Sequence, residues 1–259
     1  MSLATLKEYY AHKWFHPVLV TEVTRMKGGR FCVAGWDVHT GRMVRPLPPA
    51  GQNWQLHHGR APFVPGQLLN CRPGRRRAAT PILPHCTEDL FLAGHPYVLA
   101  HLDEPQLYQL LLETIDRSMI DVFGQELIEG RYLEEGSGRR SLGGIVVPRA
   151  KLFFYHDLGR LRLHLIDADH SRHDLAVTDD KLLHYFSPGL EEPDHHFGEK
   201  EANEWLELND PAVGIILRIG LARGWAGTEK AWNPRRCYAQ LNGIICPTGN
   251  WPVFESRRH

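Results

Sequence analysis

The chain has 259 residues, 30 Lys and Arg against 30 Asp and Glu, with 42% hydrophobic and 23% charged residues, a composition that excludes a disordered chain. No stretch approaches the roughly 18 consecutive apolar residues of a membrane span, and Met1 to Lys13 lacks the pattern of a secretion signal, so a soluble cytoplasmic protein is expected. Zero net charge conceals segregation: residues 1–80 carry 12 basic against 3 acidic residues, 81–135 carry 2 against 11, 191–210 carry 1 against 8, and 211–259 carry 7 against 2.

In chain order, Pro17 to Thr24 and Arg30 to Val38 are β-branched or aromatic runs around Met26-Lys27-Gly28-Gly29, which predicts a hairpin. Gly41 supplies a tight turn into a third strand, Arg42 to Pro46. Residues 46–66 are rich in Pro, Gly and His, Val64 to Cys71 is a candidate fourth strand, and Pro73-Gly74 opens an Arg-rich loop over 72–77. Asp103-Glu104-Pro105 is a helix start, and Leu107, Leu110, Leu111, Ile115, Met119 and Val122 recur at helical spacing, predicting a helix over 104–123. Gly, Ser and charged residues predict a flexible linker over 131–144.

The second half repeats the pattern. Lys151 to His156, Leu161 to Asp167 and His173 to Val177 read as a three-stranded meander, with Leu161, Leu163 and Leu165 alternating. Thr178-Asp179-Asp180 ends a strand and caps a following helix. Gly198 to Leu208 is a short acidic helix, and Val213 to Leu221 and Cys237 to Cys246 are two further strands. Five strands with a helix between the third and fourth is the OB-fold arrangement, a fold that binds oligonucleotides, oligosaccharides or proteins over its strand 2 to 3 face. The fold class expected is mainly β with helical inserts: two OB-like five-stranded barrels joined by a helix, the first over 1–130 and the second over 145–259.

The string Phe31-Cys32-Val33-Ala34-Gly35-Trp36-Asp37 with Thr40-Gly41-Arg42-Met43-Val44-Arg45-Pro46 resembles the opening strand pair of the bacterial dual OB-fold domain family. Asp174-Leu175-Ala176-Val177-Thr178-Asp179 resembles a later segment of that family. Leu217 to Arg223 with Cys237 to Ile244 resembles its closing strand pair. The resemblance implies two barrels and nucleic-acid binding; it implies no enzymatic activity.

A nucleic-acid surface needs cations for phosphates and aromatic faces for bases. The candidates in the first barrel are Arg25, Lys27, Trp36, Arg42, Arg45, Arg75, Arg76 and Arg77. Trp36 shares a sheet face with Ala34, which also suits burial, and Arg42 and Arg45 point to opposite faces of a regular strand. In the second barrel they are Arg218 and Arg223 and, in the loop between its last two strands, Trp225, Trp232, Arg235 and Arg236. The expected ligand is single-stranded DNA or RNA.

Five widely spaced cysteines with no Cys-x-x-Cys pair predict reduced thiols, and none of the 16 His has zinc-site spacing. No cofactor is expected, and no phosphate loop, nucleophile elbow or deaminase signature is present. Two alternatives stay open: a protein-interaction module docking through acidic segments 104–129 and 191–210, and a nuclease holding a divalent cation with Asp167, Asp169, Asp174 and His170.

Overall fold

The computed structural model describes residues 2–11, 14, 16–49, 52–57, 61–75, 87–186, 198–209, 213–224 and 235–251. Among these the chain is mainly β, in two sheets. A short helix α1 (Leu3–Tyr9) precedes β1 (Pro17–Met26), β2 (Arg30–Asp37), β3 (Arg42–Leu47), β4 (Gln67–Asn70), β5 (Asp89–Phe91) and β6 (Tyr97–His101). The first sheet runs β5-β3-β2-β1-β4-β6, with β5 parallel to β3 and the other neighbours antiparallel. Beyond the ends of β4 and β5, the Gly74 and Ala93 amides donate to Phe91 O (2.6 Å) and Arg72 O (3.0 Å), so the chain after β4 also pairs with β5. Inside lie Val18, Val20, Val23, Phe31, Val33, Trp54 and Leu69.

The connecting region holds α2 (Glu104–Leu111), α3 (Met119–Phe123) and β7 (Tyr132–Glu134), which pairs with β13 (Arg236–Ile245). The second half continues with β8 (Leu142–Val147), β9 (Leu152–Asp157), β10 (Arg160–Ile166), β11 (Arg172–Val177), α4 (Asp180–Phe186), α5 (Glu199–Leu208) and β12 (Ile215–Leu221) before β13. The second sheet runs β8-β12-β13-β11-β10-β9, with only the β11–β13 pair parallel. Its two end strands are consecutive in the chain, joined at Pro148 and a turn over Arg149–Lys151. Leu161, Leu163, Leu165, Leu175 and Val177 fill its inner side, closed by Leu182, Phe186 and Trp205 of α4 and α5.

Both meanders turn on the same device. Asp37 Oδ1 accepts the amides of His39 (2.9 Å) and Thr40 (3.2 Å), and Asp167 Oδ1 those of Asp169 (3.0 Å) and Ser171 (3.1 Å). Each turn then needs a residue with positive φ, Gly41 at 66° and His170 at 62°; an Asp side chain satisfying its own turn makes such a bend affordable. Each Asp also faces a histidine, His16 at 3.2 Å and His173 at 3.2 Å.

Two sequence expectations fail in the connecting region. The helix expected over 104–123 is two helices, because Asp116 leaves the helical path: its amide donates to Gly144 O (2.7 Å) and its carboxylate pairs with Arg140. Ser118 then caps a new helix through the Asp121 amide (3.4 Å), and Gly124 ends it at φ 81°. The flexible linker expected over 131–144 instead contributes β7, the fully buried Leu133 and the start of β8. Gly, Ser and charge in that stretch reflect close packing, since a Cβ on Gly143 would sit 2.6 Å from Val122 and one on Gly144 2.3 Å from Arg218.

Candidate nucleic-acid interface

The predicted cations of the first half lie largely in the seam between the two halves. A β-bulge at Thr21 shifts the β1 register between Val20 and Glu22. Val20 and Val23 thereby both stay in the core while Glu22 turns to the outer face. There Glu22 meets Arg218 of β12, Nε to Oε2 2.9 Å, with side chains 0% and 1% exposed. Arg218 also contacts Met43 Sδ at 2.9 Å, and Thr21 donates its hydroxyl to Glu22. Arg45 is 8% exposed and donates to Asp89 (3.1 Å) and Ser141 Oγ (3.1 Å). Burial alone would lower the Arg45 pKa, but the facing Cys32, Asp89 and Glu88 raise it. Arg223 of the second half grips both oxygens of the same Asp89 at 2.9 and 2.6 Å. Glu88, whose carboxyl burial pushes up, accepts the amides of Ser141 and Leu142. Arg25 binds Asp180 at 2.9 Å, and its amide donates to Thr178 O.

These pairings correct the sequence reading. Arg25, Arg45, Arg218 and Arg223 are held by carboxylates, three of them across the seam, so their charge is already compensated. Trp36 is half-buried against Ala34, Met43 and Leu142 between the halves, as its shared face with Ala34 allows. Arg42 and Lys27 are exposed, Lys27 at the tip of the first hairpin. Arg75 is exposed, whereas Arg76, Arg77, Trp225 and Trp232 lie outside the described residues. Arg235 lies 3.9 Å from Glu135, and Arg236 sits over the Tyr132 ring at 4.4 Å.

The acids named in the alternatives are dispersed as well. Asp167 is engaged by turn amides, Asp169 faces Arg117 at 3.6 Å and Asp174 binds Arg162 at 2.8 Å. Among the described residues no group of three His, Cys, Asp or Glu side chains is placed to hold a metal. Of the acidic docking segments, Glu104 points inward, accepting from Lys181 (2.5 Å), the Cys246 amide (3.1 Å) and Trp251 Nε1 (2.7 Å). Residues 191–197 lie outside the described residues.

An exposed surface of the expected chemistry lies on the second half. With Leu161, Leu163 and Leu165 inward, the two-residue period puts Arg160, Arg162 and His164 outward on β10. By cross-strand register Tyr155 sits opposite Arg162, Phe153 opposite His164, and Asp174 opposite His164 on the other side. Phe153 is 51% exposed. On the neighbouring β13, Tyr238 packs on Tyr132 with ring centroids 5.5 Å apart, under Arg236.

This face is pre-arranged. Asp174 Oδ1 accepts from the Tyr155 hydroxyl (2.6 Å) and Arg162 Nε (2.8 Å), and its other oxygen pairs with Arg131. Burial would raise the Asp174 pKa, but the bonds from Arg162 and Tyr155 lower it overall. Burial and the Asp174 bond raise that of Tyr155. An open-sided cavity of about 340 Å³ lies here, lined by Glu129, Arg131, Tyr155, His164, Arg172, His173 and Asp174. The turn carrying Glu129 and Arg131 is pressed onto β11: Gly130 has φ 67°, and a Cβ there would lie 2.3 Å from Arg172 O. None of these lining residues is among the sequence-predicted nucleic-acid contacts, Asp174 having been named only as a cation ligand, although the leucine alternation on β10 implied its outward Arg and His. Comparison with family models, with curated proteins and with solved structures returns no match.

Proposed function

We propose that this is a non-catalytic single-stranded nucleic-acid-binding protein built from two OB-like units, and that the outward face of β9-β10-β11 is its binding surface. The strand pairing supports the fold reading: in each half the third strand of the meander has a parallel partner, β5 on β3 and β13 on β11; in the first half β1 also pairs with β4, and in the second the strand before the meander, β8, pairs with β12. Those are the partners an OB barrel requires, and its ligand face is the one formed by strands 2 and 3.

The observation that carries the functional reading is the outward row itself, Phe153 and Tyr155 flanked by Arg160 and Arg172, with Arg162 and Arg131 held on Asp174 beside them. Phosphates need the cations and unstacked bases need the rings, each stacked base contributing about 1–3 kcal/mol. The reading includes a cytoplasmic location, supported by the thiols of Cys32, Cys71 and Cys246, which suit a reducing compartment. Among the described residues no helix is long and apolar enough to cross a membrane.

The test is fluorescence anisotropy with labelled single- and double-stranded DNA and RNA at two salt concentrations. Salt-sensitive binding that favours single strands and weakens about tenfold in Phe153→Ala is expected. Absence of any oligonucleotide binding at low salt defeats the reading.

A further inference from the structure

The cavity on this face has a composition that a phosphate site would not have. Arg131 and Arg172 supply donors, but Glu129 and Asp174 place two carboxylates on the same walls, and a carboxylate beside a phosphate is repulsive.

The ligand must therefore offer donors and acceptors side by side, be flat enough to lie on Tyr155, and be small. The volume of about 340 Å³ lies at the low end of ligand-sized cavities, about 300–1,000 Å³, room for one base with its sugar. Tyr155 is pinned through its hydroxyl by Asp174 and Arg162, which makes its ring a fixed wall. Asp174 is engaged by Tyr155, Arg162 and Arg131, and the cavity's other carboxylate, Glu129, is exposed. Its backbone is held at φ 54° next to Gly130.

Resting on the nucleic-acid reading above, we infer that this cavity is a base-specific pocket for guanine within a single strand. Guanine presents N1–H and N2–H donors side by side on one edge, matching the two oxygens of Glu129. It presents O6 and N7 acceptors on another, the edge that arginine reads most often. Adenine and cytosine each bring a donor amine but lack the adjacent ring N–H, and thymine lacks an amine. Recognition of splayed bases by stacking on an aromatic ring and bonding to their edges is the usual mode for single strands.

The experiment compares the full chain and its Glu129→Gln variant on labelled nine-residue oligothymidylates that are uniform or carry one central guanine, adenine or cytosine. Guanosine and adenosine monophosphates serve as competitors. The wild-type chain is expected to bind the guanine oligonucleotide about tenfold more tightly than the uniform one, the scale of one bidentate base contact. In Glu129→Gln the guanine oligonucleotide binds no more tightly than the uniform one, and on the wild-type chain guanosine monophosphate competes better than adenosine monophosphate. Circular dichroism checks that the variant folds; Arg172→Lys, which keeps the charge but loses the two-pronged geometry, also narrows the preference. Equal affinity for all four oligonucleotides, or a preference untouched by Glu129→Gln, overturns the guanine assignment and leaves the nucleic-acid reading standing. Failure to bind any of them overturns both.

Discussion

The outward faces of the two meanders start from similar residues and end in opposite states. On β1-β2-β3 the face carries Glu22, Ala34, Trp36, Met43 and Arg45, and it is covered by β8, β12 and β13 of the other half. On β9-β10-β11 it carries Phe153, Tyr155, Arg160, Arg162 and His164, and it borders an open cavity. An arginine and an aromatic ring on a strand therefore do not define a ligand surface. What separates the two is the carboxylate opposite: Glu22, Asp89 and Glu88 convert the first face into an interior seam, whereas the second keeps more arginines than acids.

The largest expected effect comes from breaking the seam. Glu22→Ala leaves Arg218 charged and buried without its partner, and loss of one member of a buried pair costs about 3–5 kcal/mol. The double variant Glu22→Leu with Arg218→Met restores most of that loss. Urea denaturation reads both, and a Glu22→Ala variant as stable as wild type would show that the seam does not hold the halves together.

The turn shared by the two meanders gives a pH test. Burial would raise the Asp37 carboxyl, but hydrogen bonds from His16 and the Thr40 amide outweigh it and bring it to about 2. A depressed carboxylate contributes stability that is full above its unfolded value near 3.8 and is lost as pH falls through 2. That amounts to about 2 kcal/mol over this window. In Asp37→Asn the stability profile should flatten between pH 4 and 2; an unchanged profile would assign acid sensitivity elsewhere.

Smaller effects sharpen the contrast of faces. Arg160→Ala should reduce the salt dependence of single-strand binding by about 0.7 in log-log slope for the one lost phosphate contact, with no change in Tm. Arg45→Ala should do the reverse, lowering Tm and leaving the slope alone. Lys27→Ala and Arg42→Ala, exposed on the first half, should change neither quantity measurably; a slope change there would bring the first half into the binding site.

Both meanders were legible because local chemistry specifies them: β-branched runs, Gly28-Gly29 at φ 73° and 67°, and the Leu161, Leu163, Leu165 alternation. The α2–α3 break was not, because the bond that diverts Asp116 comes from Gly144, 28 residues on. The seam arginines were misread for the same reason at greater range. Glu22 and Arg218 are 196 residues apart and Asp89 and Arg223 are 134 apart, so nothing local distinguishes a seam arginine from one reserved for phosphate. The Thr21 bulge that aims Glu22 leaves no composition signal either. The outward side of β10 was readable in principle, since an inward leucine row determines its complement.

The seam also bears on how such a chain can be inherited. Either half carried alone into another gene by recombination would bring with it an ionised group meant for the other: Glu22 without Arg218, or Arg223 without Asp89. Glu104, which receives Lys181, the Cys246 amide and Trp251, would lose all three at once. A half-chain with its own sheet and core is ordinarily a free module for shuffling. Here the matched charges make the pair one unit of descent, whose halves can drift in sequence only in step.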